Sequence, residues 1–382
     1  MRIDNPSQEQ LRHYFKRLDE HAGQTPQWIK YLDLGTHIVK LINYSPEFTP
    51  HVQKQLTYVL KNSAPHHDAT LVIWKETDIK ALTLNLDEKF NPKTNLRLRV
   101  EMLAFKTKSI SLQVFDETYS KHQPLLNIDP YNGIVQAHNP KTNTYYYAAE
   151  NLEPEEFIKQ GHIFVHTLNK IIKTPNSGLV HGAVVGLDNK GILFCARGQR
   201  GKSTLAVLAM MEGFEYVSDD YLTLSKDETG LYADPIYSII TLSPRMYNEL
   251  YNDLQGKFVS NNARKDKYVI NIAPYHERFR RHYPISVCMF PEIVSGPEPE
   301  IVPCDKYSKG RAITQLIHST INQTGDRHDM ETIRKLMSFV NDFEFYKINL
   351  CADIQANVEC LRNFITDYNK RKEKSNDELC VK

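Results

Sequence analysis

The chain has 382 residues, enough at about 150 per domain for two domains with cores of their own. Its 47 Lys and Arg nearly balance 46 Asp and Glu, and a formal net charge of +1 removes any global electrostatic drive toward nucleic acid or an anionic membrane. Hydrophobic residues at 41% and charged residues at 24% exclude a wholly disordered chain, and six cysteines without a CxxC pair or metal-ligand spacing exclude a disulfide framework.

Residues 1–9 are polar where a signal peptide needs an apolar stretch, and nothing approaches about 18 consecutive apolar residues. The expectation is a cytoplasmic protein with reduced thiols. Between about Thr36 and Ala149 apolar and polar residues alternate in blocks, 82–87, 96–102 and Ile110–Val114, as strands with one wet face do. Breakers at Asn91-Pro92 and 139–143 suit antiparallel turns, and Tyr145-Tyr146-Tyr147 suits a strand. Residues 1–152 are therefore expected to form a β-rich α+β domain. The period then changes: Phe157, Phe164, Leu168, Ile171 and Ile172 share one face of a helix that Pro175 should end. His162 and His166 sit at helical spacing there with no third metal ligand in sight. This helix opens a second domain, 153–372.

Seven of the 16 glycines crowd between 178 and 213, where something requires bare backbone. The segment 179–186 is strand-like and carries His181, which could orient an aspartate or a phosphate if its strand lies beside the next one. That next strand, 191–195, runs through a turn into a helix whose first residues are Lys202 and Ser203. This is the recipe of a phosphate-binding loop: backbone N–H groups and a helix N-terminus face the anion, Lys202 reaches the β- and γ-phosphates and Ser203 holds Mg²⁺. Ala196 stands where the pattern G-x-x-x-x-G-K-[ST] has its first glycine, and Gly198 offers a left-handed turn inside the loop. Gly213 closes the helix. The helix descends about 16 Å and a strand of about five residues climbs back the same distance, so Asp219 and Asp220 return to the edge that carries the loop. One aspartate would bind Mg²⁺ beside Ser203 and the other would accept a proton; spacing does not say which does which.

Further on, the chain reads as a helix at 244–254, strands at 268–272 and 345–350, an apolar segment at 285–290, and helices at 309–321, 330–343 and 354–368. Residues 373–382 are expected to fray as a disordered tail. Arg197, Arg200, Arg245, Arg264, Lys265 and Lys267 are candidate cations around a γ-phosphate, and the basic patch 276–282 is a candidate receptor for an acidic peptide.

The order His-Gly, apolar strand, phosphate loop, short helix and Ser-Asp-Asp, within residues 178–224, resembles the HPr serine kinase/phosphorylase family and its HPr-kinase-like relatives, which share a core with ATP-dependent phosphoenolpyruvate carboxykinases. The resemblance implies an α/β P-loop kinase core behind the β-rich N-terminal domain, which would select the acceptor. It implies ATP on Arg197, Gly198, Gln199, Arg200, Gly201, Lys202, Ser203 and Thr204, Asp219 as general base, Asp220 with Ser203 as Mg²⁺ ligands, and His181 and Lys202 in catalysis. The activity implied is transfer of the γ-phosphate to a serine-type hydroxyl of a peptide, protein or small molecule, with no nucleic acid or membrane as partner; a homo-oligomer is compatible with the chain. The loop departs from the family's Gly-x-Ser-Gly-x-Gly-Lys-Ser, and no Arg-Gly-Leu-Gly segment follows the aspartates, which turns the expected acceptor away from HPr. The alternative is a nucleotide-binding recognition module that transfers no phosphate.

Overall fold

The computed structural model describes residues 8–77, 101–102, 110–114, 126–129, 133–150, 162–196, 198, 200–250, 258–262, 267–324 and 330–380. They form a mixed α/β fold in two units. The first comprises Met1–Asp33, His37–Lys54 and Leu60–Thr167; the second comprises Leu34–Thr36, Gln55–Val59 and Leu168–Lys382.

The first unit contains α1 (Gln8–Ala22), β1 (Trp28–Asp33), β2 (Ile38–Asn43), α2 (Phe48–Gln55), β3 (Leu60–Lys61), β4 (Ala69–Lys75), β5 (Glu101–Met102), β6 (Ile110–Val114), β7 (Leu126–Asp129), β8 (Ile134–Asn139) and β9 (Thr144–Ala149). One sheet joins the strands in the order β3-β1-β2-β4-β9-β8-β7-β6-β5. The β2–β4 and β4–β9 pairings are parallel, and the others are antiparallel. Helix α1 buries Tyr14, Phe15 and Leu18 against Trp74, Val135 and Tyr146. Ile110–Val114 and the Tyr145–Tyr147 run are strands as their alternation and aromatic content predict. The block 82–87, and 96–102 apart from β5, lie outside the described residues.

The helix expected from about 153 is shorter where it is described. Phe164 adopts a left-handed φ of 62°, and α3 spans only Val165–Ile171. His162 therefore precedes the helix and shares no helical face with His166.

The second unit continues with β10 (Ser177–His181), β11 (Ala183–Leu187), β12 (Lys190–Phe194), α4 (Lys202–Met211), β13 (Glu215–Ser218), β14 (Tyr221–Lys226), β15 (Leu231–Pro235), β16 (Ile239–Leu242), α5 (Pro244–Leu250), β17 (Phe258–Asn262), β18 (Lys267–Asn271), β19 (Tyr283–Ile293), β20 (Glu300–Pro303), α6 (Lys306–Thr324), α7 (Met330–Val340), β21 (Glu344–Leu350) and α8 (Ile354–Cys380). The large sheet runs β10-β14-β15-β19-β12-β11-β13, with β21 also on β19 and β20 on β21, while β16-β18-β17 form a small separate sheet. Strands β12, β19 and β21 are parallel neighbours in turn.

Strand β12 is apolar on both faces because both are covered. Ile192 and Phe194 enter a core with Leu205 of α4 and Leu361 and Ile365 of α8. Leu193, together with Cys195 just beyond the strand, enters another core with Leu316 of α6 and Phe339 of α7. Two expectations fail here. The segment 179–186 is two strands parted at Gly182, and β10, which carries His181, pairs with β14 rather than with the loop strand. The tail expected to fray is helical through Cys380.

Candidate functional site

The site begins where β12 gives way to α4. Gly201 takes a left-handed φ of 89° immediately before the helix, and a Cβ there would meet Leu350 Cδ1 at 2.7 Å. Only glycine suits both the conformation and the close approach. The left-handed turn offered to Gly198 is thus seen at Gly201; around Gly198 the space for a Cβ is open. No side chain caps the first turn of α4, which leaves its N–H groups as an anion-facing terminus.

Strands β12 and β13 both run antiparallel to β11, so they share a direction and end at one edge. The acids that follow β13 sit in a tight turn. Ser218 Oγ donates to Tyr221 O at 2.6 Å, Tyr221 N donates to Asp219 O at 2.9 Å, and Asp220 is left-handed with φ 67°. A non-glycine residue held there stores about 1–2 kcal/mol of backbone strain, of the kind that concentrates at functional sites.

Lys202 closes the cluster. Its Nζ lies 2.8 Å from Asp219 Oδ1 and 2.9 Å from Asp220 Oδ1. Burial alone would lower the lysine pKa, but the two carboxylates outweigh it and hold the ammonium above its usual range. A buried cation persists only when paired in this way. Ser203 Oγ donates to Asp219 Oδ1 at 3.0 Å. His181 Nε2 stands 3.5 Å from Asp220 Oδ1, and its backbone N–H donates to Thr320 Oγ1 of α6 at 3.1 Å. Burial, more than its neighbours, sets the His181 pKa below 6.5: Asp220 pulls upward and Lys202 pushes further down.

The structure thus brings together His181, Lys202, Ser203, Asp219 and Asp220. Ser203, expected beside Asp220 as a metal partner, hydrogen-bonds Asp219. Thr204 lies in the first turn of α4, and Arg200 makes an exposed ion pair with Glu292 at 3.8 Å. Arg197, Gln199, Arg264 and Lys265 lie outside the described residues. The basic patch is engaged elsewhere: Arg278 donates to Gly213 O, Arg280 pairs with Glu215, and His282 stacks on Tyr232. Arg245 pairs with Glu249 along α5.

Three further residues escaped sequence reasoning. Thr241 Oγ1 donates to Asp220 Oδ2 at 3.1 Å, Thr320 holds the His181 backbone, and Tyr216 lies fully buried. Burial first, then the two carboxylates, drive the Tyr216 hydroxyl well above its usual pKa. His181 Nδ1, Asp219 Oδ2 and the Tyr216 hydroxyl are buried without a hydrogen-bond partner. Such orphaned atoms are rare in a purely structural core.

No known family profile matches the chain. No curated protein matches it by sequence. Among solved structures, the HPr(Ser) kinase/phosphatase from Coxiella burnetii is similar over 52% of this chain and 94% of its own, at 11% identity and a TM-score of 0.27. The chemistry therefore has to come from the residues themselves. No helix among the described residues is long and apolar enough to cross a membrane.

Proposed function

We propose that the chain is an ATP-dependent phosphotransferase of the HPr-kinase-like type, moving the γ-phosphate to a serine-type hydroxyl. The observation that carries this reading is the meeting of Lys202 and Ser203, at an uncapped helix N-terminus, with the carboxylates of Asp219 and Asp220. Phosphoryl transfer needs an anion cradle, a metal-binding acid and a base at one point, and these residues supply all three.

The donor set suits Mg²⁺. Ser203 Oγ and Asp219 are hard oxygen ligands in contact, and Asp219 Oδ2 is buried without a partner. Among the described residues no three His, Cys, Asp or Glu converge as a cage, so phosphate and water would complete the shell, as they commonly do for Mg²⁺. When bound, the ion neutralises charge on the transferring phosphoryl group.

We read the two roles expected of the acids the other way round. Asp219 touches Ser203 and its side chain is 0% exposed, which fits a metal ligand; Asp220 is 14% exposed, touches His181, and is the acid an incoming hydroxyl reaches. The hydroxyl gives its proton to Asp220 Oδ1 as its oxygen bonds to the γ-phosphorus. The β–γ bridging oxygen leaves with the electron pair on ADP. Lys202, drawn from the acids to the phosphates, holds the leaving group, and neutral His181 fixes the Asp220 carboxylate from the side.

Calorimetry with Mg·ATP, followed by ADP release with and without candidate hydroxyl acceptors, tests the reading. Lys202→Ala should lose binding and turnover. Asp220→Asn should bind Mg·ATP and turn over at least a hundredfold more slowly, the scale of a lost general base, whereas Asp219→Asn should weaken the Mg²⁺ dependence of binding. Binding by the wild-type chain without turnover on any acceptor would replace the kinase with a recognition module.

A further inference from the structure

Strand β16 reads Ile239-Ile240-Thr241-Leu242, one hydroxyl in an aliphatic run. Ile240 and Leu242 face the core that also takes Leu205 of α4. By the period of two, Thr241 faces the other way. It is 6% exposed, and its Oγ1 lies 3.1 Å from Asp220 Oδ2. Valine has the same shape and the same preference for strands, so neither the strand nor the packing calls for an oxygen here. The carboxylate does.

We propose that Thr241 is a positioning residue for Asp220, an inference that rests on the phosphotransferase reading. A carboxylate on a left-handed turn has two oxygens and one soft torsion. Lys202 and His181 both address Oδ1, and Thr241 holds Oδ2 from a separate sheet. The plane of the group is thereby fixed from two sides. Once Lys202 turns toward phosphate, the Thr241 hydrogen bond and His181 still hold the carboxylate with Oδ1 aimed at the acceptor. A small rotation of a base costs turnover without costing nucleotide affinity, because nucleotide binding does not use that oxygen.

The test compares Thr241→Val and Thr241→Ser in the full chain. Thr241→Val should bind the non-hydrolysable analogue Mg·AMPPNP with wild-type affinity, while ADP release from Mg·ATP, with water as acceptor, falls tenfold or more. Thr241→Ser, which keeps the hydroxyl and loses the methyl, should recover most of that rate. In crystals, Asp220 should keep its rotamer in Thr241→Ser and leave it in Thr241→Val. A Thr241→Val chain at the wild-type rate, a Thr241→Ser chain as slow as Thr241→Val, or a loss of Mg·AMPPNP affinity in Thr241→Val would each overturn the role. Equal ADP release by the wild type and Lys202→Ala would instead remove the phosphotransferase reading, and the positioning role with it.

Discussion

His181 shows how a single side chain ties the site to solution conditions. Its pKa lies below 6.5 because burial opposes the charged form more strongly than Asp220 favours it. In the unfolded chain the imidazole takes up a proton near pH 6.5, while the folded chain excludes that proton until the pH is lower. The unfolded state therefore binds more protons in this window, and folding stability falls as pH drops below 6.5. His181→Gln removes the titration, so its urea midpoint should decline less between pH 7 and pH 5 than that of the wild type. Equal declines would show that His181 is not the group excluding the proton.

At the level of elements, α8 illustrates a helix whose start is built with care. Asp353 Oδ1 accepts from the N–H of Gln355 and of Ala356, each at 3.0 Å, and Asn357 answers by bonding the Cys351 backbone in both directions. Asp353→Ala should cost about 0.5–2 kcal/mol of stability, typical of a lost N-cap, and calorimetric melting would register it as a lower transition temperature. The same helix shows where sequence reading stops. Its last turns, rich in Lys and Glu, read as a fraying tail, yet those residues are good helix formers and the helix runs to Cys380. The core of the site was more legible. An apolar run buried on both faces, a glycine turn and a helix opening on Lys202-Ser203 are local signals, and the return of Asp219 and Asp220 follows from element lengths alone. Thr241, Thr320 and Tyr216 were not legible, because each acts through a fold contact and carries no local pattern of its own. The pairing of Ser203 with Asp219 escaped for a related reason: two adjacent acids look alike until the fold sets Ser203 against one and His181 and Thr241 against the other.

For the molecule as a whole, the division into units does not follow chain order. Gln55–Val59 belongs with the second unit: Ser238 N donates to Gln55 O at 2.6 Å, Tyr58 N donates to Ser238 Oγ at 3.0 Å, and the Tyr58 ring stacks on Phe279 at 3.8 Å. A chain cut to residues 168–382 keeps every proposed catalytic side chain but loses this segment and Leu34–Thr36, leaving the buried Ser238 N–H without its partner and Phe279 without its stack on Tyr58. Its urea midpoint should fall below that of the matching transition in the full chain, and a synthetic peptide of residues 50–62 should raise it again. An unchanged midpoint would make the segment dispensable to that unit. One earlier detail reaches further than stability. While Lys202 rests between Asp219 and Asp220, a bare triphosphate arriving at the loop has to draw the ammonium away and strand two neighbouring anions against each other. On the proposed reading, a triphosphate that brings its own divalent ion would exchange one positive partner for another, so the resting protein would favour metal-loaded nucleotide over free nucleotide at the moment of entry, before any chemistry begins.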